Sequence, residues 1–264
     1  MGRSYEIIEK KSRNGLRRRI YDACSCSVAL MNDSKFGKVT MDENGVKEIW
    51  RSADAVCLDV DSTVCQDEGI DVFASFCGLG KEVKDWTNRA MGGSVSFQES
   101  LKARLGILNP TAQKMKSFIE THKPQLTPGV ETLVKILKSR NCQVYLVSGG
   151  MQEIIEPVAK ILDIPVENIF ANKLKYFFNG DFAGFDESCP TSRSGGKPRV
   201  MSILKERHNY KNLVMIGDGV TDLEASPPAD AFIGFGGNVV RNPVKENAKW
   251  FVTSFQQLID ELNN

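Results

Sequence analysis

The chain has no apolar run of transmembrane length, no excess of either charge, no paired cysteine framework and only two histidines. Each shortage excludes something. Without a long apolar stretch there is no candidate membrane span, and a soluble, cytoplasmic protein is expected. A net charge of +1 over 264 residues creates no global field toward nucleic acid or an acidic membrane. The seven cysteines (Cys24, Cys26, Cys57, Cys65, Cys77, Cys142, Cys189) are odd in number and irregularly spaced, so they read as reduced thiols. Cys24-Ser25-Cys26 lacks a matching pair at zinc-finger distance. His122 and His208 stand outside every motif below. There is no internal repeat and no low-complexity tract. With 41% hydrophobic residues the chain can still bury a full core, as one domain with an insertion or as two modest domains.

Residues 1–44 read as an N-terminal extension. Through Lys38 they hold nine Lys and Arg, including Arg17-Arg18-Arg19, which points to an organelle transit peptide as the alternative to a cytoplasmic location. Glu6, Glu9, Asp22 and Asp33 weaken that alternative, and Glu6 occupies the place where a myristoylation start wants Ser or Thr.

Beyond the extension, short apolar runs alternate with turns and helical patterns. Ala55-Val56-Cys57-Leu58, Gln143 to Val147, Leu213 to Ile216, Ala231 to Ile233 and Trp250 to Val252 are the candidate strands. That rhythm predicts an α/β fold with a doubly wound parallel sheet. The core is expected over 45–67 and 128–264. Residues 68–127 break the rhythm with helical spacings only (Ile70, Phe73, Ala74, Cys77, then Phe97, Leu101, Leu105, Leu108) and read as a helical cap inserted after the first strand. Leu174 to Phe185 reads as a small β-hairpin insertion around Asn179-Gly180.

Four pieces carry chemistry. Asp59-Val60-Asp61-Ser62-Thr63 follows the first strand, at the sheet edge where ligands bind. Two close carboxylates and two hydroxyls suit a cation plus a phosphate, one acid acting as nucleophile and ligand and the other carrying protons. The plainer reading is a solvated turn whose Ser and Thr cap the next helix. Ser148-Gly149-Gly150 can hold a phosphate oxygen with a hydroxyl and backbone N–H groups. Lys197 opens a helix, where a cation opposes the helix dipole; as a point charge on a phosphate it makes sense. Gly217-Asp218-Gly219-Val220-Thr221-Asp222 offers a hard oxygen ligand in Asp218 and an orienting acid in Asp222.

In this order the four pieces resemble the haloacid dehalogenase superfamily of aspartyl phosphotransferases, with its Rossmann-type core. The likeness tightens within the phosphoserine phosphatase family. Asp59 to Val64, Asp67 to Asp71, Arg89 to Gly93, Leu126 to Gly129, Ser192 to Lys197 and Ile216 to Asp222 carry it, over roughly Ile49 to the C-terminus. The resemblance implies Mg²⁺-dependent hydrolysis of O-phospho-L-serine, the last step of the phosphorylated route to serine. It implies Asp59 as nucleophile and Asp61 as general acid and base. Mg²⁺ would be held by Asp59, Asp218 and the backbone carbonyl of Asp61, with Asp222 behind them. Substrate binding would fall to Glu68 for the ammonium, Arg104 for the carboxylate, and Met91, Gly92, Ser148, Gly149, Gly150, Lys197 and Thr221. Cys65, close to the acidic loop, is read as a spectator.

Two other readings bear on the same residues. A related phosphatase could act on a different small phosphomonoester. A phospho-accepting receiver domain also combines a parallel sheet with acids, a hydroxyl and a lysine, but needs only about half this length. Expected partners are a small-molecule substrate, with no nucleic acid and no membrane; a homodimer is left open.

Overall fold

The computed structural model describes residues 41–91 and 95–264. The chain enters through helix α1 (Glu43–Arg51) and strand β1 (Ala55–Leu58), then makes a tight turn over Val60–Val64. Four helices follow without a strand: α2 (Gly69–Phe76), α3 (Gly80–Met91), α4 (Phe97–Leu108) and α5 (Ala112–Thr121). Helix α6 (Val130–Ser139) leads to β2 (Gln143–Met151), and α7 (Gln152–Ile161) to β3 (Ile169–Asn172). A hairpin of β4 (Leu174–Tyr176) and β5 (Phe182–Phe185) precedes α8 (Gly196–His208) and β6 (Leu213–Gly217). The chain closes with α9 (Val220–Leu223), β7 (Ala231–Phe235), α10 (Asn242–Asn247), β8 (Trp250–Val252) and α11 (Phe255–Leu262).

The sheet runs β3-β2-β1-β6-β7-β8, and every pairing in it is parallel. This is the doubly wound α/β architecture that the alternating runs predict. Side chains alternate across it. Val56, Leu58, Val144, Leu146, Val214 and Ile216 face one layer, which α1, α6, α7 and α11 cover. Ala55, Cys57, Tyr145, Val147, Leu213 and Met215 face the other, where α8 lies. Both faces are dry, so the strands read as unbroken apolar runs. From β1 the chain moves outward to β2 and β3, then returns to β6 on the other flank. The strand order therefore reverses at β1, and a crevice opens at its carboxyl end.

A third apolar cluster holds α2 to α5 together through Phe73, Leu101, Leu105, Leu108 and Phe118. It also includes Met151 of β2, Leu174 and Phe185, so the hairpin and the end of β2 close the same core. The two connections of this helical segment are tied where they leave the sheet: Cys65 pairs with Leu126, and the Gln66 N–H donates to the Gln125 carbonyl at 2.9 Å.

Three features differ from the sequence reading. Helix α1 begins at Glu43, so the expected boundary at 44/45 falls within it; the Asp42 carboxylate accepts from the Gly45 N–H at 2.9 Å and caps it. Its Trp50 is fully buried and donates Nε1–H to the Leu258 carbonyl at 3.1 Å. Strand β3 was not among the expected strands. Strand β2 runs on through Ser148-Gly149-Gly150 to Met151 instead of ending at Val147, with a register shift against β3. The Asn172 side chain holds that irregular stretch by donating to the Gly149 carbonyl at 2.8 Å.

Candidate active site

The carboxyl end of β1 is anchored by its own ladder. The Asp59 N–H donates to the Ile216 carbonyl at 2.9 Å, fixing the acid against β6. The chain then turns sharply, with Ser62 in the left-handed region at φ 57°. The turn brings the Asp61 carboxylate to the start of α2, where Oδ1 accepts the Gly69 N–H at 2.7 Å. Asp61 Oδ2 accepts from the Ser148 hydroxyl at 3.2 Å, and Ser148 Oγ in turn accepts the Gly150 N–H at 2.8 Å. Asp61 and Ser148, 87 residues apart, thus share one hydrogen bond at the strand ends.

Lys197, near the start of α8, bridges two acids. Its Nζ lies 2.7 Å from Asp59 Oδ1 and also contacts Asp222 Oδ1. Asp218 follows β6 directly; its Oδ1 accepts from Thr63 Oγ1 at 3.1 Å and its Oδ2 from Arg241 Nε at 2.6 Å. Carboxylate oxygens of Asp59, Asp218 and Asp222 all lie within 4.8 Å of one another, and the three residues are buried. The Asp222 side chain lies so close to Gly217 that a Cβ there would stand 2.2 Å from Asp222 Cγ, so this approach requires glycine.

Burial sets the protonation behaviour. It raises the Asp59 carboxyl well above the usual range, and neighbouring Asp222 adds to the rise while Lys197 opposes it. Burial also raises Asp61, with the Gly69 N–H, Lys197 and Ser148 pulling the other way. Lys197 is raised despite its burial, because Asp222 and Asp59 outweigh the loss of solvent. Cys65 is pushed up to about 12, first by burial and then by the surrounding acids, so its thiol stays protonated.

Above this cluster sit the α2–α5 side chains. Glu68 Oε1 accepts from Ser62 Oγ at 3.0 Å and pairs with Arg241 at 3.2 Å. Arg104 is buried at 7% exposure, with Nε on the Ser100 carbonyl at 3.3 Å and Nη1 at 3.5 Å from Thr87 Oγ1. Among the described residues it makes no ion pair. The Phe97 ring packs against the strand end: a Cβ on Gly149 would meet it at 2.7 Å. Met91 closes α3, but its side chain and the whole of Gly92 lie outside the described residues. Thr221 is exposed at the start of α9. The structure therefore gathers Asp59, Asp61, Asp218, Asp222, Lys197 and Ser148 into one cluster, with Glu68 joined to it through Arg241.

The family of haloacid dehalogenase-like hydrolases matches residues 53–230. The chain belongs to that family. Within it, the chain is 53% identical to the phosphoserine phosphatase of Rattus norvegicus over 217 residues, covering 82% of this chain and 96% of the rat protein. A solved phosphoserine phosphatase described as a phospho-aspartyl intermediate analogue matches with a TM-score of 0.68 at 25% identity, covering 79% of this chain and 98% of that one. The DsGPDH of Dunaliella salina matches with a TM-score of 0.73 at 36% identity over 82% of this chain. This chain spans 37% of that longer protein.

Several residues of this hydrolase's site escaped the sequence reading. Arg241 ties Asp218 to Glu68. Asn238 Nδ2 lies within hydrogen-bond distance of the Ser62 carbonyl (3.0 Å), the Cys65 carbonyl (3.3 Å) and Thr127 Oγ1 (2.7 Å). Phe97, read from the sequence only as part of a helical spacing, completes the set. A signal existed for Arg241: it stands at the N-cap of α10, a poor place for a cation, the same oddity that singles out Lys197. Asn238 carried none, since Gly-Gly-Asn reads as an ordinary loop.

Proposed function

We propose that this hydrolase is a Mg²⁺-dependent phosphoserine phosphatase that works through an aspartyl-phosphate. The observation that carries the reading is Asp59, held 2.7 Å from Lys197 inside a buried group of three carboxylates at the strand ends. The 53% identity to a phosphoserine phosphatase supports the choice of substrate.

The donor set fits a hard divalent cation. Three buried carboxylates within 4.8 Å of one another offer only oxygen ligands, which suits Mg²⁺. Asp59, Asp218 and the Asp61 carbonyl would hold the ion. Asp222 would stand behind them, fixed by the Gly219 N–H at 3.0 Å and by Lys197. Once bound, the ion supplies positive charge that offsets repulsion between the nucleophile and the phosphate.

The residues themselves account for the remaining work. Asp59 must be ionised to attack phosphorus, and Lys197 opposes the burial that would keep it protonated. Asp61, whose carboxyl is raised by burial, would give a proton to the departing serine oxygen and then take one from the hydrolytic water. Its bonds to Gly69 and Ser148 hold the carboxyl in place for both transfers. The Ser148-Gly149-Gly150 stretch and Lys197 would hold phosphoryl oxygens. Arg104, a buried guanidinium with no ion-pair partner among the described residues, would take the substrate carboxylate as a bidentate pair. Glu68 would take the ammonium. The helical segment α2–α5 would then act as a cap that closes over the strand ends and excludes water. A cytoplasmic location and a place in serine synthesis belong to the same reading.

Phosphate release from a panel of phosphomonoesters, with Mg²⁺ and with excess chelator, tests it. Phosphoserine should be the preferred substrate and chelation should abolish turnover. Preference for another ester, or full activity in excess chelator, would overturn the substrate or the metal respectively.

A further inference from the structure

Arg241 pairs with acids in both halves of this site. Its Nε donates to Asp218 Oδ2 at 2.6 Å, and its Nη2 lies 3.2 Å from Glu68 Oε1. One guanidinium thus spans an acid at the end of β6 and an acid at the start of α2. These are the acids that, on the reading proposed above, must accept a divalent cation and an ammonium. We propose that Arg241 is a positioning residue that competes with both: it shares Asp218 with the metal and Glu68 with the substrate's ammonium, and yields as they bind.

Three observations support this. First, the residue is only half buried, with 25% of its side chain exposed, so water can receive the guanidinium when it turns away. Lys197, by contrast, has 9% of its side chain exposed and is enclosed by Asp59 and Asp222. Arg241 and Lys197 therefore differ in their access to water.

Second, the loop that carries Arg241 is pinned. Asn238, three residues earlier, reaches the carbonyls of Ser62 and Cys65 and the hydroxyl of Thr127. Thr127 Oγ1 donates onward to the Thr63 carbonyl at 2.7 Å. The loop is thereby fastened to the turn that carries Asp61 and to both connections of the α2–α5 segment. With its backbone held, Arg241 exchanges partners by side-chain rotation, without a shift of the loop.

Third, the charges make the competition unavoidable. A cation placed against Asp218 meets a guanidinium already bonded to that carboxylate, and like charges so close repel. The same holds at Glu68. A ligand that binds one of these two acids leaves Arg241 paired with the second. Metal and substrate together displace it from Asp218 and Glu68, which makes each favour the binding of the other.

The test uses the full-length protein with Mg²⁺ alone and then with substrate. Calorimetric titration of Mg²⁺ should give a dissociation constant on the order of tenfold lower in Arg241→Gln, the scale of one charge-assisted hydrogen bond. Arg241→Lys, which keeps the charge, should stay near wild type. At saturating Mg²⁺, the KM of Arg241→Gln should fall for phosphoserine and not for an aryl phosphate without an ammonium. Unchanged or weaker Mg²⁺ binding in Arg241→Gln, or a KM for phosphoserine that does not fall, would overturn the proposal. Wild-type protein answers independently of folding in the variant. Its Arg241 Nε–Hε resonance, assigned by its loss in Arg241→Lys, should move along the Mg²⁺ titration, and a resonance that stays still counts against the proposal. Wild type that binds Mg²⁺ in this way yet fails to hydrolyse phosphoserine would undo the substrate reading and leave the metal competition standing.

Discussion

Lys197 Nζ lies 2.7 Å from Asp59 Oδ1, and both residues are nearly sealed from solvent, at 8% and 7% exposure. A lysine in the first turn of α8 works against the helix dipole, and nothing but the acids facing it compensates. The pair aims one positive charge at the place where, on the proposed mechanism, a phosphoryl group would meet Asp59.

Lys197→Met should lower kcat by about 10²–10³-fold or more, the cost of deleting one preorganised electrostatic donor. Lys197→Arg should not restore it, because a planar fork cannot fit a pocket shaped around an ammonium. Steady-state rates on phosphoserine and on an aryl phosphate check this; both should fall together.

The two aspartates should separate in trapping experiments. Asp59→Asn should take up no phosphoryl group, since an amide is a poor nucleophile. Asp61→Asn should slow both proton transfers, and phosphoenzyme should accumulate where its hydrolysis suffers more than its formation. Mass spectrometry of quenched enzyme reads the adduct. A phosphoryl group on any residue other than Asp59 in wild type contradicts the assignment.

Arg104→Ala should reduce kcat/KM for phosphoserine by roughly 10- to 150-fold, equivalent to about 1.5–3 kcal/mol for a charge-assisted pair. An aryl phosphate with no carboxylate should be largely spared. The ratio of the two kcat/KM values in wild type and variant decides; an unchanged ratio makes Arg104 a structural residue, bonded to Ser100 and Thr87.

Glu68 supplies a pH test. Burial first, then Asp61 and Asp218, raise its carboxyl from 4.5 to about 7, against the pull of Ser62 and Arg241. Its folded form therefore holds a proton that the unfolded chain loses near pH 4.5. Stability from this group is complete below about pH 4.5 and is lost as pH rises through about 7. Glu68→Gln, always neutral, should gain in Tm relative to wild type between pH 4.5 and pH 8. A Tm difference that is flat across that range would contradict the raised carboxyl.

Trp50 tests the helix that the sequence reading cut. Its ring is fully buried, edge-on to Trp250 with centroids 6.5 Å apart, and its N–H bonds the Leu258 carbonyl of α11. Trp50→Ala should cost about 3–5 kcal/mol of stability. Urea unfolding measures the loss, while kcat/KM of the folded variant should be unchanged.

The amino-acid sequence by itself determined the layer architecture and which groups stand at the strand ends. Apolar runs of strand length alternating with helical spacings leave few arrangements other than a parallel sheet covered on both faces, and acids placed directly after such runs emerge at one edge. Asp59, Asp61, Ser148 and Asp218 were legible at that edge for that reason, and Lys197 as a cation set against the helix dipole. Helix α1 was passed over although Val46, Ile49 and Trp50 carry its spacing, because charge dominates its remaining positions. Strand β3 is short and sits beside a stronger hairpin signal.

Only the tertiary structure decided which groups meet. Asp61 and Ser148 are 87 residues apart in sequence, and Arg241 and Glu68 are 173 apart, so their contacts depend on how β1, β2 and β6 register and where the loop after β7 folds back. Asn238 has no local pattern to mark it, since its role lies in carbonyls supplied by two distant turns. Protonation was equally out of reach. A carboxyl's affinity for its proton follows from burial and from neighbours, and both exist only once the chain has closed around them.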